Sequence, residues 1–167
     1  MLYPLPMKNR GNLILIVLFF ALLSFAMWRF WSVKEELLIT RVTENMYVLQ
    51  GKLEEFRSLA GAYPVDLGLT VGEAVDTLES DYSVAGELDA MGMENPFGGD
   101  ALLVLPACSE PPADARPGQI TYVPLDTLPG GKLAKSYRIA GYNRSGRKLG
   151  LALSPPESSE EGVPVER

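Results

Sequence analysis

At 167 residues the chain has room for one membrane segment and one small outer domain. Its 21 acidic residues outnumber 15 basic ones, and Lys8, Arg10 and Arg29 are the only charges before Ser32, so the remainder is strongly acidic. That balance is the opposite of a nucleic-acid footprint and does not suit anionic lipid; with no histidine and one cysteine, Cys108, imidazole triads, intrachain disulfides and cysteine zinc sites are excluded too.

Residues 1–11 form a short basic segment, with Lys8 and Arg10 just ahead of an apolar run. Leu13 to Trp31 follows, uncharged until Arg29. As a helix it would be about 28 Å long, close to the ~30 Å hydrocarbon thickness of a bilayer. Residues 12–31 are therefore expected to form a transmembrane helix. Leu13, Phe19 and Phe20 would sit in lipid, Trp28 and Trp31 would anchor the interface, and Arg29 would snorkel to the headgroups. The basic flank places the N-terminus in the cytoplasm and the rest outside, in a single pass. A cleaved secretory signal is the competing reading. The run is longer than a signal core, however, and no small-x-small site follows Trp28.

Residues 32–60 continue the helical pattern in amphipathic form. Leu38, Val42, Leu49, Leu53 and Phe56 recur at three-to-four spacing, as a helix–sheet packing stripe requires, with Leu37, Met46 and Leu59 widening it. Glu35, Glu36, Arg41, Glu44, Gln50, Lys52, Glu54, Glu55 and Arg57 fall largely on the other side. No proline lies between Pro6 and Pro64, and Gly61 is placed as a stop, so one helix should run through both halves. A coiled-coil stalk is the alternative for the second half, although the stripe is wider than an a/d seam.

The outer domain spans residues 61–153. Gly61 to Asp66 reads as an extended exit, and Thr70 with Glu73 matches a capping box opening a helix over 71–80. Asp76, Glu79, Asp81, Glu87, Asp89 and Glu94 make this stretch acidic; the spacing fits no EF-hand loop, and a solvated face is the reading taken. Asn95 to Asp100 is turn chemistry. Strands are expected over 101–105, 119–123 (ending at Pro124), 136–142 and 148–153, with Asn143–Gly146 as a tight hairpin. The proline-rich loop from Pro106 to Pro117 carries Cys108, read as an inert thiol, and 154–167 reads as a disordered tail. The fold class is thus α+β: a long N-terminal helix laid on a small antiparallel sheet of three to four strands. An enzyme lacking histidine would need a carboxylate pair or a lysine constellation, and none stands out. No catalytic residue, metal, cofactor or small-molecule substrate is expected.

In order and spacing the chain resembles the type IV pilins and the pseudopilins of type II secretion systems. The matching stretches are Gly61–Pro64, Asn95–Gly99, Gly118–Tyr122 and Tyr137–Tyr142 followed by Asn143–Gly146. The resemblance implies a pilin-like fold in the bacterial inner membrane with a periplasmic domain. It also implies assembly with other pilin-like subunits or secretion-machine proteins through the N-terminal helix. Gly11 and Asn12 are the candidate processing site. Asn12 stands where the family usually has phenylalanine, and Ile16 stands where it has a glutamate. Those departures point to a minor, tip-type or non-polymerising member. The alternative is a single-pass accessory or scaffold protein of an envelope complex.

Overall fold

The computed structural model describes residues 7–76, 79–98, 104–106 and 116–156, with the backbone alone for 7–11 and 104–106. Residues 1–6, Ala101–Leu103, Cys108 with most of its loop, and the tail beyond Pro156 lie outside the described residues. The chain divides into two units, Met1–Leu38 and Ile39–Arg167.

One helix, α1, runs from Met7 to Ala60, 54 residues in all. It begins on the residue after Pro6 rather than at residue 12, because nothing between Pro6 and the apolar run breaks a helix. It stops where the sequence predicts. Gly61 takes φ +79°, which costs a glycine little, and its N–H bonds the Arg57 carbonyl at 2.8 Å.

In the second unit the exit from α1 forms β1 (Tyr63–Pro64), which was expected as extended chain but not as a strand. The helix expected over 71–80 divides. Thr70 caps α2 (Val71–Ala74) with both bonds of the capping box in place, but Val75 turns extended. The helix goes no further because Val75, Asp76 and Thr77 are weak helix formers; the Val71 and Gly72 N–H groups, which a helix start leaves free, bond the Tyr82 and Ser80 carbonyls. A second helix, α3 (Val84–Ala90), is capped by the Ser83 hydroxyl.

The remaining strands are β2 (Val104–Pro106), β3 (Ile120–Thr127), β4 (Leu133–Tyr142) and β5 (Lys148–Leu153). β4 is the centre of the sheet. It pairs antiparallel with β3 along one edge and with β1 and then β5 on its other pairings, giving four antiparallel strands. β2, which overlaps the strand expected over 101–105, adds a fifth, but it runs parallel to β3 rather than antiparallel as expected. β3 also runs on through Pro124 to Thr127. Among the described residues β2 pairs β3 no farther than Tyr122, so the N–H that Pro124 lacks is not missed in that ladder. The Asn143–Arg147 hairpin forms as expected, with the Gly146 N–H on the Asn143 carbonyl and the Asn143 N–H on that of Arg147.

The core joins α1 to the sheet: Val42, Met46, Leu49, Leu53 and Phe56 meet Ile120, Tyr122, Tyr137, Ile139 and Leu153, with Val71, Val84 and Leu88 closing one side. This is the α+β arrangement of a helix on a mainly antiparallel sheet.

Candidate functional site

In the first unit every large apolar side chain from Leu13 to Val33 is at least 45% exposed. Leu13, Phe19, Phe20, Trp28 and Trp31 all belong to this set, and Arg29 is exposed beside them. Apolar side chains on every face leave no polar side to turn to water, as in a membrane span and unlike an amphipathic surface helix. By length and composition the helix can cross a membrane. Near the end of the run Lys34 lies over the Trp31 ring at 5.7 Å, so cation and aromatic sit where an interface would want both. Gly11 and Asn12 lie inside α1, and Asn12 is exposed.

In the second unit Val42, Leu49, Leu53 and Phe56 are fully buried, and so is Met46. Leu38, on the other side of the division, is half-buried. Leu37 and Leu59 do not widen the stripe: both are exposed. One glycine sets how near the helix comes. A Cβ on Gly141 of β4 would stand 2.7 Å from the Met46 Sδ and 2.8 Å from the Val42 Cγ1. Only a residue without a side chain admits this approach.

A polar clamp sits about two turns farther along α1. The Tyr63 hydroxyl donates to Glu54 Oε1 and Oε2 at 2.8 and 3.1 Å, and the Tyr137 hydroxyl donates to the same Oε1 at 3.1 Å. Arg57 donates to the Tyr63 oxygen at 2.9 Å and stands 3.6 Å from the Glu54 carboxylate. The rings of Tyr63 and Tyr137 meet edge-on with centroids 4.6 Å apart. Tyr122, beneath them, donates to the Pro64 carbonyl at 2.6 Å. Burial, reinforced by the Glu54 carboxylate, pushes Tyr63 up to about 12. Burial likewise raises Tyr137 and Tyr122. At neutral pH these phenols are hydrogen-bond donors holding helix to sheet.

Glu54 thus corrects the sequence reading, which set it with the solvated residues. Tyr63, Tyr122, Tyr137 and Gly141 entered that reading only within the stretches that carry the resemblance, with no packing role assigned. The one usable signal was Glu54 lying between Leu53 and Phe56 of the buried stripe. Farther round the helix, Lys52 bridges Glu55 and Glu87, both at 2.9 Å, and the Tyr82 hydroxyl donates to the Lys52 carbonyl, so α1 is tied to α3.

The acidic connector forms a shallow cleft lined by Thr70, Glu73, Glu79 and Asp81. Its Glu73 is engaged in the cap, where the Thr70 N–H and hydroxyl hold the carboxyl below its usual range. Among the described residues no group of three or more His, Cys, Asp or Glu side chains could hold a metal ion.

Comparison with protein-family models, with curated proteins and with solved structures returns no match.

Proposed function

We propose that the chain is a non-catalytic, membrane-anchored, pilin-like subunit of a type IV pilus or type II secretion-type machine. It spans the bacterial inner membrane once, with the N-terminus in the cytoplasm and the second unit on the periplasmic side. It assembles with other pilin-like subunits or secretion-machine proteins through α1. The observation that carries this reading is the double use of one helix. From Leu13 to Val33 it is apolar on all faces, and from Val42 to Phe56 it supplies the inner face of an α+β core. Without a hydrophobic drive between helices in lipid, such a segment associates by packing, and Ala21, Ser24 and Ala26 give it a modest face for close approach.

Cysteine crosslinking from exposed α1 positions tests the assembly. Leu37 and Tyr47 are suitable, whereas Leu49 is buried and serves as the silent control. Crosslinks from Leu37 and Tyr47 to pilin-like helices are expected. Labelling of both positions without any such product would end the proposal. The N-terminal sequence of the membrane-bound protein reports processing independently: a start at Asn12 means cleavage after Gly11.

A second reading, an accessory or scaffold protein that does not polymerise, is favoured by Ile16 and by the lack of any carboxylate from Leu13 to Trp31. It expects an uncut N-terminus and crosslinks to unrelated envelope proteins.

A further inference from the structure

Charge is sorted along this chain. From Ser58 to Ala115 there are eleven carboxylates and no Lys or Arg, whereas from Leu128 to Pro156 there are six Lys or Arg and no carboxylate. The topology gathers part of the basic set in one place. β3 starts at Ile120, β4 ends at Tyr142 and β5 starts at Lys148, and the ladder pairs Ile120 with Gly141 and Tyr142 with Lys148. The turns at this one end of the sheet therefore carry Arg116, Arg144, Arg147 and Lys148, all exposed.

The turns themselves are well fixed. Asn143 Oδ1 accepts from the Ser145 and Arg147 N–H groups, Arg144 lies over the Phe97 ring at 5.8 Å, and the Arg116 N–H bonds Gln119 Oε1 at 2.8 Å. None of the four cations enters an ion pair among the described residues, where the pairs are those of Lys52 and Arg57. Four exposed cations with no ion pair among the described residues favour a ligand that brings oxygens.

We propose that this sheet end is a docking surface for a short acidic segment of a partner protein. Three of the four cations are arginines, whose planar fork suits carboxylates. A membrane surface or nucleic acid is an extended anionic field and would also meet the second unit's overall excess of carboxylates, which repels it; a short segment touches the sheet end alone. A second copy of this chain brings the same cations to the contact. The patch stands whether or not the chain assembles with pilin-like subunits.

The test uses the full chain in detergent micelles and a fluorescein-labelled ten-residue peptide with four glutamates, alongside its glutamine counterpart. The acidic peptide should bind about tenfold or more tightly than the glutamine one. R147E/K148E should lose that preference, while K135E/R138E, equal in charge change but placed along β4, should stay within about twofold of the parent. Circular dichroism confirms that both variants are folded. Equal losses in the two variants, or no preference between the peptides, overturn the proposal. So does self-association of the chain that R147E/K148E abolishes, which would make a second copy the occupant.

Discussion

A carboxylate that accepts from two phenols is easy to overlook and costly to remove. Glu54→Ala would leave the Tyr63 and Tyr137 hydroxyls without their acceptor beside the core, a loss of about 1–3 kcal/mol that urea denaturation of the second unit should register. Glu54→Gln retains an acceptor oxygen and should lose less. The phenols give a matching pH dependence. Tyr63 is raised from 10.0 to about 12 in the folded chain, which therefore binds that proton more tightly than the unfolded chain does. Its contribution is complete below about pH 10 and is lost as pH rises through about 12. Between those values the parent should lose stability relative to Tyr63→Phe, followed by alkaline unfolding monitored at both pH limits. Beyond the position of Glu54 between Leu53 and Phe56, none of this was readable in the sequence. Glu54 looks like any residue at the margin of an amphipathic stripe, and its partners stand 9 and 83 residues away.

At the scale of elements, the stripe on α1 was legible because burial on one face imposes a period on the sequence; β3, β4 and β5 were legible from composition and turn signals, since burial along them does not alternate and Leu151 is exposed. The capping box and the Gly61 stop were legible because each rests on a local bond or dihedral. What escaped was decided by tertiary context. β1 has two residues, too few to show a period, and α2 ends at Val75, which turns extended one turn after the cap. Gly141 shows the same limit, since a glycine in a strand does not announce which helix it admits. Gly141→Ala should destabilise the domain by about 1–3 kcal/mol, because Val42 is β-branched and cannot swing aside. Val42→Ala in the same chain should recover part of that loss, giving a non-additive double-mutant cycle by thermal unfolding. Strict additivity of the two changes would show that the contact is not what glycine serves.

For the whole molecule, the division at Leu38 makes a direct prediction. The apolar exterior ends before the core stripe begins, so a fragment of residues 39–167 should fold without the first unit. It should be soluble without detergent, with a melting temperature within a few degrees of the detergent-held parent. Aggregation, or loss of cooperative melting, would show that the first unit is needed for the fold. The apolar run was the plainest statement in the sequence, because nineteen residues need no pairing information to declare themselves. The machine or partner that uses it is written in surfaces, which carry no period.

The reach of the contacts on α1 also sets a schedule for synthesis. Glu54 waits for Tyr137, 83 residues later, and Gln50 for the carbonyl of Ser154, 104 residues later. At roughly 5–20 residues per second, the buried face of α1 stays uncovered for about 5–20 s after it is made. Pairings this distant also close slowly, because loop entropy is lost before the contact is gained. Throughout that interval Val42, Met46, Leu49, Leu53 and Phe56 form a sticky ridge on a growing chain. Whatever receives the nascent protein must keep that ridge from finding the wrong surface until β4 arrives.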